Sequence, residues 1–505
     1  MSGRLRACTQ RVHVFAREMF GHNTWKRGSK GHVSRCYAQD PPLILQQRLF
    51  IPLALALLVT LANHGVGLAH SNLERSDPAS GAILRQAPAD VRLWFTEDLE
   101  PRFSRAVVYD ANRRAVSVAS RVAPDNPRLL VVGLEPALAR GWYVISWQAQ
   151  AKLDGHLTRG TISFGIGVTG PPPGIATAAD TAASGSGSPF EVVLRWLILL
   201  SAIALVGSFA FWLIESWTIV GGSTTAKRIR ILPAQWALAE LAWMSFMLAN
   251  VVFLTNAVAV VSDASSLDDL GPPLVQLATQ TTFGQIWLAR MALASVLGLI
   301  LLGRGHHCPS SWDGIALGTG ALLLFSFSAT SHSAALTTLA PVAVAIDWLH
   351  FAAVTIWVGG LLQLAVLLAA FTRNAAGLAS ADVRWDVVRR FGAVATSALT
   401  IVAVTGLFEA LYHVGTPFNL VHTGYGLVVA LKMLLIIPLV AVAGLQRTVL
   451  RSMRGGKASR LPSLVSRMIG TRRLDSWLAS SVRVEALLAV IVIAVVGLLT
   501  SLSPP

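Results

Sequence analysis

The stretch GWYVISWQAQAKLDGHLTRGTISFGIGV, residues 141–168, carries two alternating runs, WYVISWQAQ at 142–150 and TISFGIGV at 161–168, around a polar break. A period of two with β-branched and aromatic residues is the pattern of strands half-buried on a sheet. Upstream, VRLWF at 91–95, AVVYD at 106–110, VSVAS at 116–120 and LLVV at 129–132 repeat the pattern between Gly, Pro, Asn and Asp. Residues 70–168 therefore read as an all-β sandwich or barrel, for which about a hundred residues suffice. Downstream the texture changes twice. Residues 169–189, TGPPPGIATAADTAASGSGSP, read as a flexible linker with a reach of about 25 Å. From 190 to 505 apolar runs dominate.

Composition agrees. Hydrophobic residues make up 53% of 505 and charged residues only 13%, about half the usual soluble share of roughly 25%, and mean hydropathy is +0.58. The chain reads as a polytopic membrane protein with one modest soluble domain. The net charge of +15 is no nucleic-acid footprint, because the basic residues lie in a leader and in loops between apolar spans. Residues 1–69 hold nine Lys/Arg against two Asp/Glu. LFIPLALALLVTLA at 49–62, after Arg48, has the length of a signal-peptide core, and Gly67 and Ala69 offer a cleavage site that makes His70 the first mature residue. The remaining N-terminal residues are long for a leader, as an over-long start or a long natural leader would give; an uncleaved anchor helix is the alternative. Of Cys8, Cys36 and Cys308, two lie in that leader, so no pair is left to staple the β-domain.

Eight spans are expected near 190–214, 237–261, 283–302, 314–330, 342–370, 391–412, 425–445 and 484–502, an all-α transmembrane bundle. The loops at 215–236, 372–390 and 446–483 are rich in Lys and Arg. Loop 262–282 is acidic with no base, and 331–341 and 413–423 carry no Lys, Arg, Asp or Glu. Basic loops face the cytoplasm, which places the β-domain and the C-terminus on the periplasmic side of the plasma membrane.

Candidate chemistry is sparse in the β-domain, whose histidines are His70 and His156. An N-terminal His70 offers an amine and an imidazole, His156 a second imidazole and Asp154 a carboxylate, a set that suits tetragonal Cu(II). If 154–156 is a strand, alternation puts Asp154 and His156 on one face; Gly155 also permits a turn, and a surface turn without metal is the plainer reading. In the membrane half, intramembrane polar groups default to function. Asp347 and His350 are three apart and Glu409 and His413 four apart, each pair on one helical face; with His332 and His422 all six fall toward the outer side, where they make a candidate metal path. Interhelical hydrogen bonding is the alternative. Arg290, Lys432 and Glu485 read first as structural, through helix-end snorkelling or a buried ion pair. His306, His307 and Cys308 form a trio on the cytoplasmic side that suits a Cu(I) exit, or a solvated loop.

The opening AHSNLERSDPASGAILRQAPADVRLWFTEDLEP (69–101) and the later GWYVISWQAQAKLDGHLTRGTISFGIG resemble the CopC copper-binding family. The resemblance implies a cupredoxin- or immunoglobulin-like sandwich with His70, Asp154 and His156 as copper ligands and Glu97, in FTE, near the site. The gap from Trp147 to Asp154 is a residue longer than the family pattern. No methionine occurs between Met19 and Met244, so a thioether Cu(I) site is not expected there. TTFGQIWLAR, SHSAAL, DWLHFAAVTIWVGGL, RFGAVATSALTIVAVTGLFEAL, TGYGLVVALKMLL and SVRVEALLAV resemble, in order, the CopD copper-resistance membrane family, with Gln446-Arg447 where that family has N-R. The order matches the CopC–CopD fusions, the YcnJ-like copper transport family.

These readings imply a copper homeostasis protein, not an enzyme: the β-domain captures Cu(II), and the membrane domain imports or transfers it, as Cu(I) if a reductant is supplied. Its partners are copper ions, the bilayer and a periplasmic copper donor or acceptor. The rivals are a membrane-anchored copper store or chaperone, and a redox protein holding haem between His350 and His413. No phosphate-binding loop motif is present in the sequence.

Overall fold

A computed structural model describes residues 73–169, 188–220, 232–262, 266, 268–304, 311–335, 340–373, 381–452, 474–502 and 504. The leader, His70, most of the linker and the His306-His307-Cys308 trio lie outside the described residues.

In β3 (Asp90–Phe95) the side chains of Val91, Leu93 and Phe95 are buried while Arg92 between them is exposed. That alternation, repeated along the chain, builds two packed four-stranded sheets. One has the order β1 (Leu73–Asp77), β3, β6 (Asn126–Leu134), β5 (Ser117–Ala123). The other has β2 (Ala82–Leu84), β8 (Leu157–Ile166), β7 (Gly141–Gln150), β4 (Arg105–Tyr109). Phe95 meets Trp147 edge to face across the core at 5.2 Å, and each fully buried side chain of this size contributes about 1.5–3 kcal/mol. The β7–β8 hairpin has unbroken register from Gly141↔Ile166 to Gln150↔Leu157, so the longer gap before Asp154 falls in the connecting turn and disturbs no strand.

The helical half begins at α1 (Pro189–Val220). Proline at the first position and Ser188, whose hydroxyl accepts the Glu191 backbone N–H at 3.2 Å, start it. There follow α2 (Pro233–Ser262), the short α3 (Gly271–Gln280), α4 (Thr282–Arg304) and α5 (Ser311–Ser328). Next come α6 (Ala340–Val354), a π-turn (Thr355–Gly359) and α7 (Gly360–Arg373), which together make one span. Then come α8 (Ala381–Val414), the short α9 (Pro417–His422), α10 (Gly424–Ser452) and α11 (Leu474–Leu499). Seven stretches are long and apolar enough to cross a membrane, and α5 adds a shorter apolar helix over Trp312–Ser328, in accord with about eight spans. Spans one and five touch backbone to backbone. A Cβ on Gly207 would lie 2.5 Å from Gly359 Cα, and one on Gly359 2.3 Å from the Ile203 carbonyl oxygen, the small-residue contact typical of membrane helices.

Candidate functional site

The Asp154-Gly155-His156 segment lies in the turn between β7 and β8, not in a strand, which corrects the alternation expected there. The Asp154 carboxylate accepts the His156 backbone N–H at 3.0 Å, closing an Asx-turn. Gly155 adopts φ +70°, where a side chain is strained. A Cβ there would also lie 2.7 Å from the ring of Phe283 at the head of α4.

The turn is thus pressed against the helical half. His156 is buried. Its Nδ1 lies 3.3 Å from Arg195 Nη2 and 3.7 Å from Glu191 Oε1, and those two α1 residues are paired at 2.7 Å. Gln148 and Arg159 donate to the Val261 and Val260 carbonyls at the end of α2, at 3.3 and 2.6 Å. Phe103 packs into an apolar cluster of Leu254, Val258, Leu277 and Phe283. Glu97 Oε1 is 4.0 Å from Nδ1 of His332, in the turn between α5 and α6. Burial, helped by the neighbouring Asp154 carboxylate and opposed by Arg128, pushes Glu97 up to about 8. Burial likewise holds His332 below the usual imidazole range.

Beneath this contact lies a cavity of about 270 Å³, lined by Asp154 of the β-domain together with His332, Asp347, His350, Glu409 and His413. Five of the six membrane-path residues expected from sequence therefore line one chamber, and a β-domain residue lines it with them. Asp347 and His350 share a face of α6, and Glu409 and His413 share one of α8, as their spacing requires. His350 Nδ1 is 2.8 Å from the Thr405 hydroxyl and 3.8 Å from Glu409 Oε1. His413 Nε2 is 3.3 Å from the Ser333 hydroxyl. Asp347 faces Ser328 and Ser331. Among the described residues no three His, Cys, Asp or Glu side chains converge closely enough to hold a metal ion as they stand.

His422 is a correction. It ends the short helix α9, exposed, stacked on Phe418 at 3.8 Å with Nδ1 2.9 Å from the Phe418 carbonyl oxygen; Tyr425, a turn further on, reaches the chamber instead. A second correction concerns Arg290, expected as a helix-end residue or an ion-pair member. It is buried in the chamber wall, with bonds at 3.0 Å to the Ser326 hydroxyl and carbonyl, and it lies over Phe327. Lys432 lines the same chamber with no carboxylate within ion-pair distance among the described residues. Arg195 and Glu191 escaped the sequence reading, although an arginine and a glutamate four apart inside an apolar span are the signal that finds them.

A β-sandwich whose β7–β8 turn lines a chamber in a helical bundle defines a class of multi-pass membrane protein with a fused extramembrane domain. Residues 73–167 match the CopC domain, 186–340 the copper resistance protein D-like N-terminal domain and 385–499 copper resistance protein D; the chain belongs to the copper resistance and transport proteins that join CopC and CopD in one polypeptide. It is 27% identical over 400 residues to the copper transport protein CutJ of Bacillus subtilis (strain 168), covering 78% of this chain and 70% of that one. It is 30% identical over 114 residues to protein YobA of Escherichia coli (strain K12), covering 22% of this chain and 91% of that one. The crystal structure of CopC from Methylosinus trichosporium OB3b matches at 29% identity and a TM-score of 0.18, covering 19% of this chain and 93% of that one.

Proposed function

We propose that the protein captures Cu(II) on its periplasmic β-domain through His70, Asp154 and His156, with Glu97 adjacent, and delivers copper into the plasma-membrane bundle for import or transfer. The observation that carries this reading is the shared chamber: Asp154, from the capture turn, lines the same cavity as His332, Asp347, His350, Glu409 and His413. Copper released by the turn then has no solvent gap to cross. Imidazoles and carboxylates held on hydroxyl groups, not preassembled as a closed cage, suit a cargo that must bind and leave. At about 270 Å³ the chamber is smaller than the usual small-molecule pocket of about 300–1,000 Å³, which favours an ion over a haem. His306, His307 and Cys308 are retained as candidates for the cytoplasmic exit, where imidazole and thiolate favour Cu(I).

The test is copper uptake by proteoliposomes. His350→Ala and His413→Ala should each lower uptake by roughly tenfold or more, as loss of a metal ligand or its partner does. The type-2 electron paramagnetic resonance signal of Cu(II) on the β-domain should persist in both. Uptake equal to that of the unsubstituted protein in both variants returns these histidines to a packing role.

A further inference from the structure

A second cavity lies in the bundle besides the chamber under the β-domain. The second, of about 930 Å³, opens at the opposite end, where Arg389, Arg447 and Asp475 lie at its rim. The two meet at one residue, since Trp357 lines both.

Four spans pass from one cavity to the other, and each does so within a single helical turn. On the fifth span Val354 and Val358 face the chamber, and Leu361 faces the second cavity. On α8 the change falls between Val402 and Leu399, on α10 between Leu439 and Val440, and on α11 between Ala489 and Glu485. Four residues of helix are about 6 Å, so the wall is about one side chain thick. Trp357, Val358, Leu361 and Leu439 are all nearly fully buried. Directly below the wall stands Glu485, buried, its carboxylate approached by the side chains of Trp357 and Gln446, with no cation within ion-pair distance among the described residues.

Trp357 sits in the middle of the π-turn Thr355–Gly359. Such a turn inserts one extra residue into a helix and is frequent at functional sites. Its backbone is pinned on one side by the Gly207–Gly359 contact with span one, so the indole has a fixed base and cavities above and below it.

We infer that the two cavities are the two halves of one interrupted transmembrane cation path, closed at Trp357, with Glu485 as the first acidic group beyond the gate. The cargo is copper if the function proposed above holds; the path itself rests on the cavities alone. The inside of the gate is therefore the large cavity between spans five to eight, and swinging or rotation of one indole suffices to join the halves.

Thiol accessibility tests the path without copper. In a background with Cys8, Cys36 and Cys308 replaced by serine, Val354→Cys reports the chamber just above the gate and Ala443→Cys the cavity below it. In sealed, copper-free vesicles of known orientation, a charged, membrane-impermeant methanethiosulfonate should modify Val354→Cys only from the β-domain face and Ala443→Cys only from the other. Adding Trp357→Ala should raise modification of Val354→Cys from the far face at least tenfold, while Trp357→Phe, which keeps a ring, should not. Far-face modification that stays absent in Trp357→Ala, with near-face reactivity intact, overturns the gate. If Trp357→Ala does not reach the membrane, the two single cysteines still decide: either one reacting from the wrong face, or Ala443→Cys reacting from neither, overturns the path. Copper flux through Trp357→Ala vesicles is measured in parallel. Changed labelling with unchanged copper flux leaves the path standing and rejects copper as its cargo.

Discussion

At the scale of single residues Gly155 is constrained twice over. Its φ of +70° and the 2.7 Å approach of a Cβ to the Phe283 ring act together. Gly155→Ala should destabilise the docked turn by about 1–3 kcal/mol and lower copper transfer, while β-domain Cu(II) binding is retained. Phe283→Ala in the same chain should recover the part due to the ring but not the part due to φ. A double-mutant cycle on thermal stability measures the two parts, and strict additivity would show that the ring is not what the new methyl meets. His70 supplies a second residue-scale prediction. An amide nitrogen does not ligate as a free amine does, so a glycine placed before His70 should weaken Cu(II) binding by roughly 10–100-fold or more. Equal affinity would remove the amine from the ligand set. The His350, Glu409 and His413 positions stand out in the sequence because polar residues are rare in apolar spans, whereas the DGH turn is a weak signal that only the family resemblance singles out. The partners of His156 are not legible there, because Arg195 and Glu191 are 39 and 35 residues away in the chain and only the fold brings them together.

Among the elements, the eight apolar helices could be read from hydropathy, and six of the eight strands from alternation. The two missed strands have physical reasons. β1, LERSD, is polar and exists because it pairs with β3, and β2 has three residues on the edge beside β8. The π-turn has no signature in periodicity, since its extra residue is absorbed within one span. Its support can be tested. Gly207→Ala would place a methyl 2.5 Å from Gly359 Cα and 2.7 Å from the Thr355 carbonyl oxygen, both backbone atoms that cannot yield without separating the spans. A loss of about 1–3 kcal/mol is expected, read from thermal unfolding in lipid nanodiscs. Gly392→Ala on α8, where a Cβ meets nothing within 4 Å, should be neutral or slightly stabilising. Equal effects of the two substitutions would mean that the span one to span five contact does not limit packing.

For the whole molecule, the decisive feature was not in the sequence. Helix neighbours cannot be deduced from hydropathy, and a Pro/Gly/Ser linker permits many placements of a tethered domain. In the structure the β7–β8 turn roofs the chamber, held by Gln148, Arg159 and Phe103 against α2 and its apolar cluster. Docking converts a tether, which raises local concentration to about the millimolar range, into direct contact between the Asp154–His156 turn and the chamber. If copper passes from that turn into the chamber, loosening the docked turn slows its uptake. The most direct measurement is copper uptake into oriented proteoliposomes by the unsubstituted chain and by a Gln148→Ala, Arg159→Ala chain, which loses both hydrogen bonds to α2 while keeping the candidate ligands. An unchanged Cu(II) resonance signal and uptake reduced at least several-fold are expected; uptake undiminished in the doubly substituted chain would contradict passage from turn to chamber.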